Sequence, residues 1–127
     1  MLFRSTGKKG YAGDGGPAKD AEFAGVYSIA FNAKGDKLYL ADLGNRRIRV
    51  IHMDTGLIHL VAGNGDKGVP NDREPAKTSP LVDPRAVAVD RHGRVYVLER
   101  SGNALRVVGP GGKIKTVLKD LNSPKHV

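Results

Sequence analysis

An all-β chain built from repeated four-stranded antiparallel units is what the sequence predicts, on three observations. The chain aligns on itself at a spacing of 58 residues: Gly7-Lys8-Lys9-Gly10 falls on Gly65-Asp66-Lys67-Gly68, Pro17-Ala18-Lys19 on Pro75-Ala76-Lys77, and Ser28-Ile29-Ala30-Phe31 on Ala86-Val87-Ala88-Val89. Short runs rich in Val, Ile, Leu and Tyr recur between turn residues in both copies. Seventeen Gly and seven Pro in 127 residues interrupt the chain too often for long helices, which sets an α-helical bundle aside.

The first copy opens on a glycine-rich stretch, 6–26, in which Pro17 starts one helical turn through Ala21 and Phe23 caps the edge of the unit. The first strand follows at about 27–32 and turns at Asn32-Ala33-Lys34-Gly35. The second, about 37–42, is apolar on consecutive positions in Leu38-Tyr39-Leu40-Ala41, the mark of a strand covered on both faces. Asp42-Leu43-Gly44-Asn45 leads into a third strand at about 47–52, and Asp54-Thr55-Gly56 into a fourth at about 57–62. A second loop, 64–84, carries Leu81 where the first carries Phe23. The second copy repeats the pattern at about 85–90, 94–98, 104–109 and 113–118. Its turns are Asp90-Arg91-His92-Gly93, Glu99-Arg100-Ser101-Gly102-Asn103 and Gly109-Pro110-Gly111-Gly112, with Gly and Asn where a tight hairpin needs positive φ. Leu121-Asn122-Ser123-Pro124 repeats Leu81-Val82-Asp83-Pro84 and opens a third copy.

Four antiparallel strands in roughly 40 residues plus an insert is the arithmetic of a β-propeller blade, which packs face to face with a blade on either side. Gly13-Asp14-Gly15-Gly16-Pro17-Ala18, Ile29-Ala30-Phe31, Gly35, Leu38-Tyr39-Leu40-Ala41-Asp42, Asn45-Arg46-Arg47-Ile48-Arg49-Val50 and the run from Ile58 to Gly63 together resemble NHL-repeat β-propellers. The second copy is similar but decayed: Asn71-Asp72-Arg73-Glu74 replaces the glycine-rich run, Glu99 stands for Asp42, and Ala104 breaks the basic run. The resemblance implies blades of an incomplete ring, 27–63 and 85–118, with 119–127 the truncated start of a third, in a longer protein of about six blades. Residues 1–5 break the register and read as foreign sequence, one frame's translation of a common sequencing adapter. Blade faces left without neighbours predict partial exposure of Ile29, Tyr39 and Val97. Three copies completing a ring by symmetry is the alternative to truncation.

Twenty-one Lys plus Arg against thirteen Asp plus Glu gives +8, which favours acidic partners. No Cys is present, and no apolar run approaches the roughly 20 residues of a membrane span, so the chain as given reads as soluble, its compartment unassigned. Gly63-Asn64-Gly65-Asp66-Lys67-Gly68 matches G-x-G-x-x-G, but Val69-Pro70 follows where a phosphate-binding helix should begin, so no cofactor is expected. Asp14 alone is too little for a calcium loop, and His52, His59, His92 and His126 occupy unrelated repeat positions, so no metal is expected either.

Two sets of residues stand out. Asp42, Asn45 and Arg49 recur as Glu99, Asn103 and Arg106; they are expected to build the blade, carboxylate and Asn tying the turn and the Arg pairing with a neighbouring blade. Tyr27, Arg46, Arg85 and Arg100 are the ligand-binding candidates: Tyr27 and Arg85 open innermost strands at the channel mouth, and Arg46 and Arg100 sit at turn tips where guanidinium forks suit acidic ligands. Catalytic residues are not identified. The expected function is a non-catalytic binding or scaffold module with a protein or other macromolecular partner, an acidic ligand or RNA among the possibilities, and further blades in cis. The alternatives are part of a channel-centred lactonase- or lyase-type propeller enzyme, or the sensor domain of a larger receptor or kinase.

Overall fold

The computed structural model describes residues 10–119; the expectations for residues 1–5 and for a third blade beyond Lys119 lie outside them. Eight strands form two separate four-stranded sheets. The first runs β1 (Val26–Phe31), β2 (Lys37–Asp42), β3 (Arg47–His52), β4 (Leu57–Ala62), and the second β5 (Pro84–Val89), β6 (Val95–Glu99), β7 (Ala104–Val108), β8 (Ile114–Lys119). Each sheet is an antiparallel meander in sequence order, as short hairpin connections dictate. Register breaks fall at matching places in both, between Val26 and Ser28 and between Ile48 and Arg49, then between Pro84 and Ala86 and between Leu105 and Arg106. The repeat is therefore structural, bulges included.

The outer edge of each sheet is handled alike. Pro17 bridges Leu57 at β4, and Pro75 bridges Lys113 beside β8. The Gly15 amide donates to the Ile58 carbonyl (2.6 Å) and the Ile58 amide to Gly16 (3.0 Å); in the second sheet the Arg73 amide donates to Ile114 (2.8 Å) and the Ile114 amide to Glu74 (3.0 Å). The segment leading into each blade thus supplies partners to a strand edge that would otherwise invite pairing with another chain. A single 3₁₀ turn follows each bridge, at Ala18–Asp20 and Ala76–Thr78, with Ala18 and Ala76 buried beneath it.

The sheets stack front to back. One cluster unites Ala30, Tyr39, Ala41, Ile48 and Val50 of the first sheet with Val87, Val95, Val97, Val108 and Ile114 of the second, and Leu81 joins it. A second cluster lies on the opposite face of the first sheet, where Phe23, Ala18 and Ala21 cover Leu38, Leu40, Ile51 and Ile58. Of the three apolar residues expected at uncovered faces, only Ile29 is exposed, at 58%; Tyr39 and Val97 are buried because both belong to the junction between the sheets.

Candidate functional site

The strand directions sort the turns to two ends. The starts of β1 and β5 and the β2–β3 and β6–β7 connections lie at one end; the remaining hairpins, 32–37, 52–57, 89–95 and 108–114, lie at the other, and the incoming segments run beside β4 and β8 to reach them at Pro17-Ala18 and Pro75-Ala76.

At the first end the blade-building residues form buried polar networks. Arg49, with no side-chain exposure, donates from Nε to Asp14 (2.9 Å), from Nη1 to the Glu22 carbonyl (2.5 Å) and to Asp42 (3.5 Å), and from Nη2 to the Ala12 carbonyl (2.8 Å). Asp42, also fully buried, accepts from the Ala24 amide (2.9 Å) and from Asn45 Nδ2 (2.8 Å), which reaches on to the Gly10 carbonyl (2.6 Å). Among the described residues the guanidinium thus pairs with the incoming segment and with Asp42 of its own blade. Tyr11 donates its hydroxyl to Asp14. Burial first, then that bond and the Asp14 charge, push the Tyr11 phenol up to about 12 against the opposing pull of Arg47 and Arg49.

The second blade solves the same problem with one more methylene. Glu99, fully buried, reaches Arg106 Nε directly and accepts from the Val82 and Asp83 amides at 2.6 and 2.7 Å. Arg106 Nη1 donates to Thr116 Oγ1 (2.6 Å). Asp72, the repeat equivalent of Asp14, accepts the Thr116 amide (2.8 Å) instead of a guanidinium. The left-handed residue ahead of β3 is Arg46 (φ 52°), and ahead of β7 it is Asn103 (φ 48°).

The ligand candidates Tyr27, Arg46, Arg85 and Arg100 all fall at this first end. The Arg85 guanidinium lies 4.5 Å above the Tyr27 ring, and Arg100 is exposed. The Nε atoms of Arg46, Arg47 and Arg85 are buried without a hydrogen-bond partner among the described residues. Arg47 lies over the Tyr11 ring at 3.6 Å and Arg49 over the Phe23 ring at 4.7 Å, so Tyr11, Phe23 and Tyr27 each carry a cation on one face. Around Gly63 and Gly68 the amides are spent on the fold, donating to Ala76 (2.9 Å) and Leu81 (3.3 Å).

The opposite end holds what the sequence did not single out. A groove of about 710 Å³ opens between the sheets, floored by Tyr39, Val50, Val95 and Val108 and edged by Lys37, His52, His59, Lys77 and His92. His52 and His59 meet edge to face with centroids 5.2 Å apart. Among the described residues that line it there is no carboxylate. Asp36 and Asp90 lie in an adjoining depression, where Asp36 accepts from Asn32 (2.6 Å) and Asp90 pairs with Arg94 (2.6 Å). Burial works to raise the Asp90 carboxyl, but the Arg94 side chain and the Arg94 and His92 amides hold it down at about 2. The three histidines sit at unrelated repeat positions, so periodicity hid them; only the stacking of one sheet on the next brings His52 and His59 of one blade to His92 of the other. No group of three or more His, Asp or Glu among the described residues is placed to hold a metal ion.

These sheets are blades of a β-propeller, stacked and unclosed, and the solved structures similar to this chain are propeller proteins. A luciferin-regenerating enzyme superposes with a TM-score of 0.59 at 17% identity, over 84% of this chain and 34% of that one. Kuenenia stuttgartiensis hydrazine synthase does so with a TM-score of 0.60 at 17% identity, over 96% and 28%. Likeness at that identity shows the fold alone. In sequence, the chain is 28% identical to Teneurin-1 of Gallus gallus over 107 residues, 72% of this chain and 4% of that protein. It is 31% identical to Teneurin-3 of Danio rerio over 113 residues, 78% and 4%. It is 38% identical to Protein SUPPRESSOR OF QUENCHING 1, chloroplastic, of Arabidopsis thaliana over 64 residues, 50% and 6%. The chain thus spans only 4 to 6% of the curated relatives it matches. No family model matches it. No helix among the described residues is long and apolar enough to cross a membrane.

Proposed function

We propose that this chain is part of an NHL-type propeller that acts as a binding module, and that the groove between its two blades takes an acidic peptide segment of a protein partner. The groove carries this reading: an apolar floor of Tyr39, Val50, Val95 and Val108 suits a side chain inserted from an extended segment, while Lys37 and Lys77 meet its carboxylates at the rim. The buried acids and bases at the other end support it, because Asp42, Arg49, Glu99 and Arg106 are committed to holding turns and incoming segments. A net charge of +8 steers an acidic partner toward the protein, and the rim fixes where it settles.

The test is titration calorimetry with a Glu-rich peptide carrying a central leucine. The double variant Lys37→Glu/Lys77→Glu should weaken binding about tenfold at low salt, with a smaller effect at high salt. Charge reversal at Arg46, Arg85 and Arg100 should leave most of the affinity in place. The opposite ranking would move the site to the channel-mouth end and overturn the groove reading.

A further inference from the structure

Three imidazoles lie in the groove between the blades, and neither the apolar floor nor the lysine rim accounts for them. Strand register places two of the three. Lys37, Tyr39, Val50, His52 and His59 share one face of the first sheet, because Lys37 stands opposite His52 and Val50 opposite both Tyr39 and His59. That face looks toward the second blade, whose β5–β6 hairpin brings His92 to the same groove. His52 and His59 touch edge to face, and His92 is exposed.

The ionisable groups that line the groove with these imidazoles include no anion. Lys37 faces His52 across the sheet, and Lys77 enters from the 3₁₀ turn Ala76–Thr78. Burial holds the Tyr39 phenol above its ordinary range, so it stays neutral. Beside His92, the Arg91 Nε lies 3.4 Å from the imidazole Nε2. Lys34, Asp36, Asp90 and Arg91 belong to the adjoining depression, and both acids there are engaged. Asp36 accepts from Asn32 (2.6 Å); Asp90 pairs with Arg94 (2.6 Å) and accepts the His92 and Arg94 amides (2.9 and 3.0 Å). Asp54 and Lys113, in the other two hairpins of this end, stand outside the lining. The anion that would pair with a charged imidazole here therefore comes with the ligand.

We infer, resting on the role of this groove as a peptide site, that binding there is linked to protons: an acidic segment binds more tightly as pH falls. Each peptide carboxylate that settles beside His52, His59 or His92 favours the charged imidazole, and by reciprocity each proton taken up favours the peptide. Histidine is the side chain whose charge changes between about pH 5 and 8, while lysine stays cationic and glutamate stays ionised across most of that span.

Titration calorimetry with the Glu-rich peptide, on the 127-residue chain at about pH 8 and about pH 5.5, tests the linkage. At low salt the affinity should be about tenfold higher at the lower pH, and heats measured in two buffers of different ionisation enthalpy should show net proton uptake. The triple variant His52→Gln/His59→Gln/His92→Gln should lose the pH dependence and keep its affinity at the higher pH within about twofold. His92→Gln alone, an exposed change, should remove part of the dependence, and far-UV circular dichroism checks that each variant is folded. Lys37→Glu/Lys77→Glu should instead weaken binding at both pH values. Binding that needs Lys37 and Lys77 but is flat with pH, or a pH dependence that survives the triple histidine variant, overturns the linkage and leaves the groove as the peptide site. Absence of peptide binding at both pH values, or binding indifferent to Lys37 and Lys77, overturns both.

Discussion

Two buried carboxylates carry the largest single-residue effects. Asp42 and Glu99 each accept backbone amides from the segment entering their blade and face a fully enclosed guanidinium. Removing Glu99 leaves the Arg106 guanidinium charged and desolvated, so Glu99→Ala should cost about 3–5 kcal/mol in denaturant unfolding, and Asp42→Ala should cost less because Arg49 keeps its 2.9 Å pair with Asp14. Replacing Arg106 and Glu99 together by Met and Leu should cost much less, because no charge is stranded. Two further residues add a pH dependence to stability. Asp90 is held at about 2, below its unfolded value near 3.9, so its contribution is complete above about pH 4 and disappears as pH falls toward 2; in Asp90→Asn that part of the acid-unfolding profile should flatten. Tyr11, pushed up to about 12, stabilises the fold fully below about pH 10 and loses that contribution as pH rises from there, so Tyr11→Phe should blunt alkaline destabilisation.

At the scale of elements, the contact most sensitive to a single carbon is the β2–β3 turn against the incoming segment. A Cβ on Gly44 would stand 1.8 Å from the Ala24 carbonyl oxygen, and that atom is backbone with little room to give. Gly44→Ala should therefore lift residues 10–24 from the blade and lower the unfolding midpoint, while the same change at open Gly109, where a Cβ meets nothing, should cost little. Hydrogen exchange at the Gly10 and Ala24 amides, bonded to Phe23 and Asp42, reports the lifting directly. Elements were also what the sequence displayed best. Each strand lies within about a residue of its expected place, because apolar runs and turn glycines are local signals. The pairing of Arg49 was less visible: its repetition as Arg106 marked a structural part, but Asp14 and the carbonyls of Ala12 and Glu22 are distant in sequence, and only the folded strap brings them to it.

For the whole molecule, propeller blades were legible from repetition, and the way they stack was only half legible. Exposure was expected at Ile29, Tyr39 and Val97 alike, yet the alternation of faces sends Tyr39 and Val97 into the shared junction and leaves Ile29 outside. A candidate site formed between repeats leaves no periodic trace, which is why Tyr27, Arg46, Arg85 and Arg100 stood out and the groove with His52, His59 and His92 did not. The most direct measurement of the central claim, that the groove is the binding surface, is an amide chemical-shift titration with the Glu-rich peptide. Shifts concentrated at Lys37, His52, His59, His92 and Gly111 are the predicted result; shifts confined to Tyr27, Arg46, Arg85 and Arg100 at the other end would contradict it.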